Sequence, residues 1–156
     1  MEGIEYSKRP IYELEDALFA SGPSTSTDYA NFAGTSTPIV LDNGSARFRA
    51  GWASEHATGP RIDVDNIVSR YKDRKNNRQV TLAGAQVYAD TLSKQSAKVP
   101  YEGDVVCGFD AMETMLDYGF AKLGIDGAET IPHPVAMTET VCNPSYSRSR
   151  EIILRL

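Results

Sequence analysis

The sequence predicts an α/β domain starting near Pro38, and three observations carry that expectation. The apolar run Ile39-Val40-Leu41 enters the turn residues Asp42-Asn43-Gly44-Ser45 and leaves through a second strand-like segment, as a hairpin does. Residues 108–124, "GFDAMETMLDYGFAKLG", repeat apolar side chains at helical spacing. The segment "HPVAMTE", residues 133–139, reads as one further buried strand ending in polar residues.

Taken in chain order, residues 1–37 read as an extension followed by a flexible linker. The first twenty carry a weak helical pattern in Ile11, Leu14, Leu18 and Phe19. The next seventeen, "SGPSTSTDYANFAGTST", offer little apolar area against an ordering entropy of roughly 1–2 kcal/mol per residue. The domain proper, 38–156, opens on a continuous apolar run of the kind strands show when both sheet faces are covered. Asn43-Gly44 supplies a pair tolerant of positive φ. On the return strand Phe48, Ala50 and Trp52 share one face, and Arg47, Arg49 and Gly51 the other. Trp52 reads as core. The chain from about 53 to 107 is polar and poorly patterned. In the helix, Asp110 reads as the N-cap with Glu113 completing a capping box, Gly124 as the stop, and Met112, Met115, Leu116, Phe120 and Leu123 as the buried stripe. Asn143-Pro144 reads as an N-cap and first-turn proline opening a last helix.

Composition narrows the function classes. The chain has 156 residues, 41% hydrophobic and 24% charged, which suits one domain with one core. No apolar run approaches the roughly 20 residues that cross a bilayer, so the expectation is a soluble intracellular protein. Cys107 and Cys142 fall in no metal-binding spacing and read as buried free thiols. His56 and His133 have no ligand partners at useful spacing, and no nucleophilic triad can be assembled, so no catalytic residue is assigned. A net charge of −5 argues against wholesale nucleic-acid coating but leaves room for a local basic patch.

Two stretches carry chemistry. In Asp42, Asn43, Gly44, Ser45, Ala46, Arg47 and Arg49, successive backbone N–H groups and the Ser45 hydroxyl could receive a phosphate. Asp42 could hold Mg²⁺ through water, and Arg49 could reach phosphate oxygens bidentately. The plainer reading is a tight turn with solvated arginines. In "SRYKDRKNNR", residues 69–78, Arg70, Lys72, Arg74 and Lys75 are either a solvated loop or a contact to phosphates or acidic partners. Glu139 either faces a cleft or is a hydrogen-bonded strand-end acid.

Three ordered segments, "LDNGSARFRAGWA", "VPYEGDVVCGFDAMETML" and "HPVAMTETVCNPSYSRSR", resemble the N-terminal third of the actin family. That resemblance implies an incomplete actin-like ATPase domain of the ribonuclease H-like fold, with a first phosphate loop, a reduced outer subdomain, one core helix and one further strand. Within the family, "RAGWA", "VCNPSYSR" and "LDYGFAKLGI" look more like the actin-related protein five class than conventional actin. The class implies a nuclear subunit of the Ino-eighty chromatin remodeller, with other subunits and the nucleosome as partners. It further implies ATP and Mg²⁺ as family cofactors, weak or absent here because Ala46 replaces a glycine and only half of the cleft is encoded. The segment between Val68 and Leu82 is shorter than in actin and lacks the Gly/Met-rich intersubunit loop, so no filament partner is expected. The ending "REIILRL" departs from the family pattern, which suggests truncation. A true ATPase of the actin and sugar-kinase superfamily, and a non-functional fragment, are the alternatives.

Overall fold

The computed structural model describes residues 29–53, 59–89, 91–125, 131–141 and 143–153. The helical pattern at Ile11–Phe19, His56 and Cys142 lie outside them.

A four-stranded sheet forms the centre. Strands β1 (Ile39–Asn43) and β2 (Arg47–Trp52) pair antiparallel as the expected hairpin, β3 (Ile62–Asp65) extends it beyond β2, and β9 (Val135–Met137) runs parallel to β1. Alternation along each strand sets what is buried. Ile39, Leu41, Phe48, Ala50 and Trp52 enter the core, and the other face carries Val40, Asp42, Arg47 and Arg49. The apolar run at 39–41 is therefore covered on one face only: Val40 is 44% exposed. The "HPVAMTE" strand, expected to be buried, is half-buried at the sheet edge.

The helix α2 (Phe109–Lys122) lies against this face. Met112, Met115, Leu116, Phe120 and Leu123, the stripe read from the sequence, are all buried in one core with the β1 and β2 side chains. Fully burying side chains of this size is worth about 1.5–3 kcal/mol each. The helix starts earlier than its acidic residues suggest. Gly108 occupies the N-cap without a side-chain bond, and Asp110 sits in the first turn. The reason is the approach of the preceding chain: Cys107 N and Gly108 N both donate to the Pro100 carbonyl at 2.9 Å. A Cβ at 108 would lie 3.0 Å from the Val99 carbonyl oxygen, which leaves no room for Asp or Ser as cap. At the other end Gly124 stops the helix as expected. It takes φ 87°, and Ile125 N donates back to the Phe120 carbonyl at 2.9 Å.

The poorly patterned stretch builds a second, smaller sheet, β5-β4-β6, from β4 (Val68–Asp73), β5 (Arg78–Ala83) and β6 (Ala97–Lys98). A 3₁₀ turn at Gly84–Tyr88 and the short helix α1 (Thr91–Gln95) connect β5 to β6, and β7 (Tyr101–Glu102) and β8 (Val105–Val106) form a small hairpin leading into α2. The linker reading does not extend through 29–37. A 3₁₀ turn at Tyr29–Asn31 brings Phe32 into parallel stacking on Trp52, with ring centroids 4.3 Å apart. Buried His133 fixes this segment, its Nδ1 3.1 Å from the Thr37 carbonyl and its ring edge-on to Trp52. The thiol of Cys107, expected to be buried, is exposed, because it follows the short β8 and precedes the helix on the surface side. The helix α3 (Ser145–Ile153) closes the described chain. Its first bond runs from Arg148 N to the Pro144 carbonyl, one residue later than the Asn143 cap expected. Among the described residues no helix is long and apolar enough to cross a membrane.

Candidate functional site

The β1–β2 turn closes by a bond from Gly44 N to the Arg47 carbonyl at 3.0 Å, which places Ser45 and Ala46 at its exposed tip. Neither Asn43 nor Gly44 has positive φ, so the hairpin is not made by the Asn-Gly pair as expected. Gly44 is needed for another reason. A Cβ there would approach the Arg47 carbonyl oxygen to 3.0 Å, so a side chain would press against the closing bond.

Beneath the tip the chain is held from inside. Asn43 is buried, its carbonyl accepts the Tyr101 hydroxyl, and its side-chain amide donates toward Met112 Sδ at 3.4 Å. Asn66, also buried, donates through Nδ2 to Asn43 Oδ1 (3.2 Å) and to the Gly44 carbonyl (2.8 Å), and its own N–H donates to the Ala46 carbonyl at 3.0 Å. Thr138, just past β9, accepts from Asn43 N (3.1 Å) and donates to Asp42 Oδ1 (2.8 Å). Four separate parts of the chain thus hold the loop.

The arginine face is equally committed. Register sets Asp42 opposite Arg49 and Arg49 opposite Asp63, with Arg47 opposite Asp65. Charges of opposite sign therefore alternate across the three strands, the favourable cross-strand arrangement. Arg49 Nη1 donates to Asp42 Oδ2 at 2.9 Å, and its Nε is 3.3 Å from Asp63 Oδ1. Arg47 Nε donates to Asp63 Oδ1 and Nη1 to Asp65 Oδ1, both at 2.8 Å. The Arg47 hydrogen bond, aided by both guanidinium charges and opposed by desolvation, holds the Asp63 carboxyl below the usual aspartate value. The reciprocal bond to Asp63 raises Arg47.

Two arginines face three aspartates, so the cluster has no surplus positive charge for a phosphate. Asn43 N and Gly44 N are already spent on internal acceptors. Asp42 is engaged by Arg49 and by the Thr138 hydroxyl. Among the described residues no cluster of His, Cys, Asp or Glu could hold a metal ion. The sequence reading missed Asp63, Asp65, Asn66 and Thr138. The signal for the first two was present: "RIDVD" repeats acids at i and i+2, the spacing of Arg47 and Arg49 on the adjacent strand.

The basic stretch is a hairpin on the other sheet rather than a loop. Asp73 pairs with Arg78 across β4 and β5, and residues 74–77 form the turn. Asp73 Oδ2 accepts Asn76 Nδ2 at 2.7 Å, the bond that chiefly lowers the Asp73 carboxyl, and Oδ1 accepts Lys75 N at 3.0 Å. Asn77 supplies the left-handed residue, φ 48°. Arg70, Lys72, Arg74 and Lys75 are all exposed, and Arg70 reaches back to donate to Thr114 Oγ1 on α2 at 2.9 Å. Glu139 is a strand-end acid bonded to Arg148 Nε at 2.5 Å.

Comparison with known proteins agrees with this architecture. Residues 33–154 match the family model described as actin. "Actin-like protein arp5" of Schizosaccharomyces pombe is 44% identical over 139 residues, covering 89% of this chain and 18% of that protein. "Actin-related protein 5" of Arabidopsis thaliana is 39% identical over 137 residues (85% and 18%), and that of Homo sapiens 28% over 141 (88% and 23%). The chain thus spans about a fifth of the length of these curated relatives.

Proposed function

The chain belongs to the actin family, matching actin-related protein 5, and from that premise we propose that it serves as an assembly and nucleosome-contact module of a nuclear chromatin-remodelling complex. The observation that carries the contact role is the β4–β5 hairpin. It carries Lys72, Arg74 and Lys75 as exposed cations beside Arg70, which is exposed but also bonded to Thr114, at the edge of a three-stranded sheet, in a chain whose net charge is −5. Phosphate contacts of this kind position a protein on DNA without reading sequence. The likeness to actin-related protein 5 supports the choice of complex.

ATP and Mg²⁺ bind weakly or not at all. Support comes from the loop itself, whose arginines are neutralised by Asp42, Asp63 and Asp65 and whose N–H groups at 43 and 44 are used internally. The turn of only residues 74–77 between β4 and β5 supports the absence of a filament partner, since it leaves no long loop to reach a neighbouring subunit. The test is affinity purification of a tagged polypeptide carrying this segment from nuclear extract. Stoichiometric recovery of a remodelling motor and its subunits is expected. Recovery with filamentous actin, or with no nuclear complex, would overturn the proposal.

A further inference from the structure

A cleft of about 470 Å³ opens between β6, the start of α2 and α3, remote in sequence from the phosphate loop and the basic hairpin. Its walls include Lys98, Val99, Cys107, Phe109, Asp110 and Arg150. Three features set it apart from ordinary surface. First, exposed apolar side chains border a cleft whose walls are otherwise mixed polar and apolar. Val99 is 53% exposed on one rim, and Tyr146, 67% exposed, meets Phe109 edge-to-face at 6.2 Å beside the other. Second, the Arg150 guanidinium is fixed over aromatic rings, 5.0 Å from the Phe109 centroid and 5.5 Å from that of Tyr146. Third, the charges of the walls are Lys98 and Arg150 against Asp110, a local excess of one positive charge in a chain of net −5. No ion pair joins Lys98 or Arg150 to a described carboxylate.

We propose that this cleft docks an acidic segment of a partner protein carrying one aromatic or aliphatic anchor. The volume falls in the range of about 300–1,000 Å³ that holds a ligand or a buried anchor side chain. The anchor would sit against Val99 and Phe109, displacing water from apolar surface. Its flanking carboxylates would reach Lys98 and Arg150, and cation–π contact already restrains the guanidinium, so less side-chain freedom is lost on binding. Charge complementarity selects the class of partner. Nucleic acid fits less well: its backbone asks for an extended row of cations, whereas here two cations flank an apolar wall with Asp110 beside them. The inference is independent of the nucleosome-contact reading, because none of its residues belongs to the β4–β5 hairpin.

Cys107 lines the cleft with an exposed thiol and reports on its occupancy. In the full chain, on a Cys142→Ser background, the probe is a fluorescein-labelled peptide of glutamates flanking one Phe. Controls are the same peptide with lysines for glutamates, and a DNA duplex. Anisotropy should show saturable binding of the acidic peptide only, with slowed maleimide labelling of Cys107. The pair Lys98→Gln and Arg150→Gln should raise Kd about tenfold or more while the melting temperature falls by only a few degrees, since both side chains are exposed and only the Arg150 cation–π contacts are lost. Tyr146→Ala should weaken binding through the anchor side. An acidic peptide that does not bind, equal binding of the lysine peptide, indifference to the double substitution, or protection of Cys107 by DNA instead would each overturn the proposal.

Discussion

Replacing Asn66 by Ala should loosen the β1–β2 hairpin more than any change at its exposed tip. The wild-type side chain is buried and donates to Gly44 O at 2.8 Å and Asn43 Oδ1 at 3.2 Å. Stranding a buried acceptor costs about 1–3 kcal/mol. Two acceptors lose their donor, but Gly44 is only half-buried and water can partly replace it. The substitution also removes a liability, because Asn66 Oδ1 is itself buried without a partner. The net loss should be about 2 kcal/mol, or about 4–8 °C in Tm for a chain of this size. The near-isosteric Asn66→Asp separates geometry from volume. A carboxylate would face two acceptors, so its pKa must rise on folding, and the native state then binds the extra proton. Stability of that variant should therefore increase as pH falls, opposite to ordinary acid destabilisation. Thermal and urea unfolding at several pH values measure both effects. An Asn66→Ala chain within about 0.5 kcal/mol of wild type, or an Asn66→Asp chain with the wild-type pH profile, would refute the reasoning.

Gly119→Ala would stabilise an open helix by about 0.5–1 kcal/mol, but here the new Cβ lies 2.7 Å from two atoms of the fully buried Phe48 ring. Overpacking at about 1–3 kcal/mol should win, and urea unfolding should show net destabilisation that Phe48→Leu partly reverses. The Asp63 carboxyl, depressed mainly by its bond from Arg47, contributes stability present above its unfolded value near 3.8 and lost as pH falls through the lower folded value. Asp63→Asn should flatten that acid limb, with a small amplitude that shrinks in salt because the pair is open to solvent. For nucleotide, calorimetry of the chain with Mg-ATP should give millimolar affinity at best, a ΔG no more favourable than about −4 kcal/mol. Micromolar binding would show that the arginines leave their aspartates.

The legible parts of the sequence were those in which one local pattern had one outcome. Phe48, Ala50 and Trp52 alternate because their strand has one covered face, and the Met112–Leu123 stripe repeats at helical spacing because α2 has one face on the core. What stayed hidden depended on partners distant in sequence. Asp110 looked like a cap, but the approach of Pro100 and Val99 to Gly108 decides where the helix starts. Arg47 and Arg49 looked available to phosphate because their facing acids, Asp63 and Asp65, come from a third strand with only a four-residue signature. Tyr29 and Phe32 sat in a Gly/Ser/Thr-rich stretch whose composition says linker, while their rings pack on Trp52, about twenty residues on. The basic stretch read as a loop because its hydrophobic alternation is interrupted by charge, yet pairing with "RQVTLA" makes it a strand.

The nucleosome-contact role rests most directly on how binding responds to salt. Lys72, Arg74 and Lys75 are exposed, and reversing them to glutamate in the complete polypeptide, assembled with its partner subunits, leaves the core untouched, whereas Arg70 is kept because it donates to buried Thr114. Nucleosome affinity should then be measured across a salt series. Each lost phosphate contact should flatten the slope of log K against log salt by roughly 0.9, while a misfolded subunit would lower affinity without that phosphate-counting change. A flattened slope in a complex that still assembles is the result expected. An unchanged slope and affinity in the assembled mutant would contradict the account, and the hairpin would then be a solvated feature of a scaffold.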